Sequence, residues 1–222
     1  MDAVGAKIEG QISNNSGVST TSSLDISGYN RIITTVAGDG TQNFSGDNSP
    51  SAKSQLNSPS NMSADLSGNI YIADTGNYRI RRIGTISGNM ITGAGIGNIA
   101  YTGANTPVGD GGPAGAARIV APEGVYAHIT GNIYIADTGN HRIRKINTSG
   151  IISTIVGDGT LSFSGDGSQA TAARLNSPKD VRVDLLGNIY IADTNNHRIR
   201  KVDTSGIITT IAGSVSTGGF SG

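Results

Sequence analysis

The sequence predicts an all-β fold, a β-propeller built of four-stranded antiparallel blades, and three observations carry that expectation. A sixteen-residue phrase occurs three times: GNIYIADTGNYRIRRI from Gly68 to Ile83, GNIYIADTGNHRIRKI from Gly131 to Ile146 and GNIYIADTNNHRIRKV from Gly187 to Val202. The copies begin 63 and 56 residues apart, a period that suits four strands with their turns. Between them lie short runs of Ile, Val, Tyr and Thr, closed by Gly, Pro, Asn or Asp, as strands joined by turns require.

Composition supports the same class. The chain has 222 residues, 33 of them Gly, with 16 Lys plus Arg against 16 Asp plus Glu. Such a length can bury a core, and a neutral balance gives no long-range pull toward nucleic acid or an anionic membrane. With no cysteine, disulfides and thiolate metal sites are excluded. The start MDAVGAK lacks the apolar core of a signal peptide, and no apolar run reaches the length of a membrane span. The compartment stays open; a longer secreted parent would place the chain outside the cell.

Taken in order, residues 1–30 match nothing later and read as a polar linker or disordered segment. Residues 31–38 (RIITTVAG) recur as IISTIVG from Ile151 and IITTIAG from Ile207. These are outer strands, the first of them an orphan. A long loop follows, GDGTQNFSGDNSPSAKSQLNSP in the first copy and GDGTLSFSGDGSQATAARLNSP in the third. Its Ala-containing part suggests one helical turn that drops Leu56, Ile119 or Leu175 onto the domain. Pro59, Pro122 and Pro178 then open the innermost strands, since a first residue can lack its amide hydrogen without breaking the ladder.

The shared phrase supplies two further strands around an Asp-Thr-Gly/Asn-Asn turn. Its third position is Gly76, Gly139 and Asn195, residues that tolerate a left-handed backbone, so a positive φ is expected there. The resulting blades span about 59–93, 122–157 and 178–213 within a propeller of residues 31–222.

These residues carry a family resemblance. A Pro-led strand ending in Asp, then GNIYIADTGNHRIRKI, preceded by GDG…ATAARLNSP, resembles the NHL-repeat family of β-propellers from Arg31 onward. The resemblance implies an interaction module, because such propellers serve in protein binding, RNA binding and sensing, and occasionally as lyases. Residues 214–222 begin another repeat, with Gly219-Phe-Ser-Gly222 matching Phe44-Ser-Gly46. Three blades fall short of the four to eight that usually close a propeller. The chain therefore reads as a fragment of a longer propeller, with two copies closing six blades as the alternative. Either way, open blade faces invite self-association.

Several residues are candidates for function. The repeated sets Asp74, Asn77, Arg79; Asp137, Asn140, Arg142; and Asp193, Asn196, Arg198 read as turns held by Asp hydrogen bonds and paired with Arg, since a single site does not repeat with the blade. His141 and His197 exchange with Tyr78, which argues for a structural role over metal ligation. His128 stands where the other copies have Asp65 and Asp184, at the end of the innermost strand. Together these three form a candidate binding site at the central channel, against the simpler reading that Asp65 and Asp184 open the Asp-x-x-Gly turns before Gly68 and Gly187. The loop residues Asp39, Asp47, Asp110, Asp158 and Asp166 sit beside glycines but lack the clustered carboxylates of a calcium loop.

Nine of the sixteen basic residues fall in the RIRR/RIRK strands, yet neutrality and few aromatics weigh against RNA. No phosphate loop or nucleophile elbow occurs, and no cofactor or metal is implied. The expected function is a non-catalytic scaffold binding protein or a small ligand through the long loops 39–58, 94–121 and 158–177. The middle loop differs most and contains Tyr101. The alternative is part of a propeller lyase or hydrolase with a central-channel site.

Overall fold

A computed structural model describes residues 7–13, 19–25, 33–97 and 109–213. The chain divides into two units, residues 1–36 and 37–222. In the first, β1 (Lys7–Ser13) and β2 (Ser19–Asp25) pair antiparallel from Lys7–Asp25 to Ser13–Ser19. The stretch expected as a polar linker thus holds a strand pair. Residues 33–38, the described part of the expected orphan strand 31–38, lie outside any strand.

The second unit holds three antiparallel blades. The first contains β3 (Ser49–Pro50), β4 (Pro59–Ala64), β5 (Ile70–Asp74), β6 (Arg79–Ile83) and β7 (Asn89–Ala94). The second contains β8 (Gly124–Ala127), β9 (Ile133–Asp137), β10 (Arg142–Ile146) and β11 (Ile152–Val156). The third contains β12 (Ser168–Gln169), β13 (Pro178–Val183), β14 (Ile189–Asp193), β15 (Arg198–Val202) and β16 (Ile207–Ala212). In each blade the Pro-led segment pairs with the IYIAD strand, that with the RIR strand, and that with the outer strand.

The two-residue strands β3 and β12 come from the long loops and hydrogen-bond the outer edges of β7 and β16. In the second blade Pro113 bridges Ile151 in the same way. Each loop therefore covers the edge of the blade it is about to enter, which blunts an otherwise open ladder. A single 3-10 turn follows, at Ser51–Lys53, Ala114–Ala116 and Ala170–Ala172. It drops Ile119 and Leu175 into the core and leaves Leu56 half-buried.

The core lies between blades. Ala73, Ile80 and Ala94 of the first blade pack with Val125, Ile133, Ile135 and Ile146 of the second. Ile143 and Val156 of the second pack with Val181, Ile191 and Ile208 of the third. Each fully buried Ile contributes about 1.5–3 kcal/mol, so the blades stabilise one another.

The third and fourth strands of every blade share one irregularity. Register shifts between Ile80 and Arg81, Ile143 and Arg144, and Ile199 and Arg200 leave Gly93, Ile155 and Ile211 without a cross-strand partner. An extra residue bulged from one strand of a pair accounts for this.

The expected turn geometry is also corrected. The positive φ falls at Tyr78, His141 and His197, at 57°, 54° and 54°, and not at Gly76, Gly139 or Asn195. The Asp-Thr-Gly-Asn segment winds as a 3-10 turn, and the residue after it takes the left-handed cap. Gly76 and Gly139 are small for lack of room: a Cβ there would strike Asn57 and Val120 respectively.

Candidate functional site

The most elaborate polar structure lies where the long loops meet the IYIAD–RIR turns. Asp74, Asp137 and Asp193 are fully buried. One carboxylate oxygen of each accepts a loop amide, from Asn57, Val120 and Asn176 at 2.7, 2.8 and 2.8 Å. The other accepts the side-chain amide of Asn77, Asn140 or Asn196 at 2.8–2.9 Å. Burial pushes the Asp137 carboxyl upward, against the pull of Arg144, Asn140 and the Val120 amide.

The paired arginine differs from the one expected. Arg81, Arg144 and Arg200 are completely buried and reach Asp74, Asp137 and Asp193 at 3.4, 3.2 and 3.3 Å. Their other guanidinium nitrogen binds Asp47, Asp110 and Asp166 of the long loops at 2.9, 2.6 and 2.7 Å. Each of these arginines thus clamps a loop onto its blade. Arg79, Arg142 and Arg198 instead donate to main-chain carbonyls, among them Asn77, Asp158 and Asn196. Phe44 stacks on Arg79 and Arg81 at 3.7 and 4.7 Å from its ring centroid, and Phe163 on Arg198 and Arg200 at 3.6 and 4.8 Å.

The sequence carries a signal for this clamp, since Phe-Ser-Gly-Asp in a loop accompanies Arg-Ile-Arg in the strand after it. Local pattern does not expose it, because the partners lie 34 residues apart. The remaining loop carboxylates are also engaged. Asp39 and Asp158 accept the amides of Thr41 and Thr160, and Asp158 also pairs with Arg174. Among the described residues no group of three or more His, Cys, Asp or Glu could hold a metal ion.

The three candidate channel residues occupy equivalent turns after the innermost strands. Asp65 accepts the amides of Ser67 and Asn69 with one oxygen and the Asn69 amide group and Tyr71 hydroxyl with the other. Asp184 repeats the arrangement with Leu186, Asn188 and Tyr190. Desolvation pulls the Asp65 carboxyl upward, but the Asn69, Ser67 and Tyr71 hydrogen bonds outweigh it and hold it below its ordinary value. At Asp184 the Asn188 side chain leads in lowering the carboxyl.

His128 is 6% exposed, and its Nδ1 lies 2.8 Å from the Thr130 hydroxyl and 3.3 Å from its amide. Tyr126 and Tyr134 stand 6.0 and 6.3 Å from its ring. Each of the three side chains thus organises its own turn, and no hydrogen bond or ion pair joins them among the described residues. Tyr101 lies outside the described residues.

His141 and His197 serve as left-handed caps, and His141 Nδ1 accepts the Ser177 amide at 3.1 Å. Burial, then Arg142, lowers the His141 pKa.

A family model of the teneurin NHL domain matches residues 85–164 and 160–219, more than half of the chain. The chain belongs to the teneurin NHL-domain family. Mouse teneurin-4 is 34% identical over 99 residues, covering 39% of this chain and 4% of that protein. Cattle NHL repeat-containing protein 2 is 38% identical over 87 residues, covering 39% of this chain and 12% of the relative. The chain therefore spans only a small part of the relatives it matches. Among solved structures, a protein of unknown function from Bacteroides thetaiotaomicron superimposes with a TM-score of 0.54 at 21% identity, over 73% of this chain and 39% of that one. At that identity the likeness shows the propeller fold alone. Among the described residues no helix is long and apolar enough to cross a membrane.

Proposed function

We propose that this chain is a non-catalytic NHL propeller scaffold that binds another protein on the end of the blades opposite the long loops. One observation carries the reading. The turns following the innermost strands expose Leu66, Ile129, Leu185 and Leu186 at 81, 53, 79 and 79%. Ile86, in the turn between β6 and β7 at the same end, is fully exposed. Apolar side chains gathered on one end of a rigid scaffold suit an apolar partner surface. Rigidity supports the reading, because a surface ordered beforehand loses less entropy on binding.

The long-loop face is the second reading, favoured by the exposure of Leu161 at 59%. Much of the polar chemistry of that face is spent on the clamps. The enzymatic reading draws little support from the turns near the channel: Asp65 and Asp184 already accept several hydrogen bonds and are held ionised, which makes them weak bases.

Selection of peptides from a displayed library against the chain, followed by titration of the recovered binders, tests this reading. Replacing Leu66, Ile129, Leu185 and Leu186 together by Ser is expected to weaken binding at least tenfold, and Leu161→Ser to leave it unchanged. The reverse pattern would move the site to the long loops.

A further inference from the structure

The blades repeat closely, so a place where one junction departs from its sister is informative. The bulged residue of the outer strand is such a place. Aligned by repeat, the position reads Val36, Gly93, Ile155 and Ile211. Ile155 packs into the junction between the second and third blades. At the junction between the first and second, Gly93 supplies nothing, and a Cβ added there would meet only the Ile80 carbonyl at 3.4 Å and the Arg82 Cβ at 3.7 Å. A side chain is missing where the fold has room for one.

The space left is a cleft of about 310 Å³ between the two blades, lined by Gly93, Ile80, Ile133 and Ile146, with Tyr71 and Arg82. That volume lies at the small end of the range for ligand sites, roughly 300–1,000 Å³. The charge also departs from the sister junction. Arg82 replaces Lys145, and Asn147 replaces Asp203, so a cation remains and an acid is gone.

Arg82 donates to the neutral Asn69 side chain at 3.1 Å and also meets the Tyr71 hydroxyl, and no carboxylate pairs with it among the described residues. Asp65, which accepts a hydrogen bond from Tyr71, has both oxygens taken up within its own turn. A guanidinium on the cleft wall with only neutral partners is open to a carboxylate, which adds charge-assisted hydrogen bonds.

We propose that the cleft between the first and second blades binds a small aliphatic carboxylate, its chain on Ile133 and Ile146 and its carboxylate on Arg82. The isoleucine floor selects an apolar body and Arg82 selects the anionic head. The proposal does not rest on the protein-binding face proposed above, although Gly131, two residues from Ile129, also lines the cleft.

Hexanoate is the probe, titrated into the full chain with isoleucine methyls followed by NMR. Shifts at Ile133 and Ile146, with none at Ile191 or Ile208, are expected. Gly93→Ile, which restores the residue of the sister blades, should abolish those shifts. Arg82→Gln should weaken hexanoate at least tenfold while leaving hexan-1-ol unchanged. If Gly93→Ile does not fold, the wild-type methyl map and Arg82→Gln decide. Absence of shifts at the Ile133 and Ile146 methyls, equal binding by a folded Gly93→Ile variant, or unchanged hexanoate affinity in Arg82→Gln would overturn the proposal.

Discussion

Arg144 Nη2 lies 2.6 Å from Asp110 Oδ1, joining a fully buried strand residue to a loop carboxylate 34 residues earlier in the chain. The other end of the same guanidinium holds Asp137. A buried ion pair is no proof of net stabilisation, but removing one partner leaves a buried charge uncompensated. Arg144→Met should therefore cost about 3–5 kcal/mol. The control is Arg142 on the same strand, which binds a carbonyl near the surface; Arg142→Met should cost about 1 kcal/mol, the worth of one hydrogen bond. Urea denaturation of the two variants checks the difference.

Phe163 stacks on both Arg198 and Arg200. Each cation–π contact contributes roughly 0.5–1 kcal/mol at a partly exposed site. Phe163→Leu keeps an apolar side chain and loses both stacks, so a loss of about 1–2 kcal/mol is expected. An equal loss in a background that already carries Arg198→Met and Arg200→Met would refute the coupling.

His128 does with one ring nitrogen what Asp65 and Asp184 do with two oxygens. Thr130, Asn132 and Tyr134 already stand at the positions of the donors that those aspartates use. His128→Asp should thus stabilise the chain by about 1 kcal/mol, the net worth of an added hydrogen bond. A lowered melting temperature would show instead that contacts of the imidazole with Tyr126 and Tyr134 dominate.

Asp65, Asp158 and Asp184 are all held below the ordinary carboxylate value of 3.8. A depressed folded-state pKa gives stability that is present above the unfolded value and lost as pH falls through the folded one. Melting temperature should therefore fall below about pH 4 as these carboxylates take up protons, after a smaller decline below about pH 6.5 from His141, whose burial-lowered pKa acts in the same sense. Asp65→Asn combined with Asp184→Asn should make that fall shallower.

The architecture is legible because its signal is local and said three times. Pro-led strands, alternating Ile and Tyr, and glycine-closed turns appear in each copy, and strand pairing follows from hairpin connection. What lies beyond local pattern is less legible. The clamp needs the identity of Arg81 over Arg79, a choice made by burial against a loop distant in sequence. The edge strands β3 and β12 are two residues long and have no periodicity to read. The left-handed residue escapes the pattern because a Gly beside an Asp suggests backbone freedom, whereas Gly76 is small to clear Asn57 and Tyr78 carries the positive φ. The cleft is visible in the alignment of Gly93 with Ile155, but only the bulge gives that substitution a meaning.

Amide hydrogen exchange of the loop 158–177 in wild type and in Arg200→Met tests most directly whether the repeated Asp–Arg sets serve to fix loops to blades. The amides of Asp158, Ser162 and Ala173, bonded to Ala173, Leu175 and Ala170 carbonyls, should lose protection together in the variant while Ile191 in the blade core stays protected. Unchanged loop exchange in a folded Arg200→Met protein would contradict a clamping role for the buried arginines.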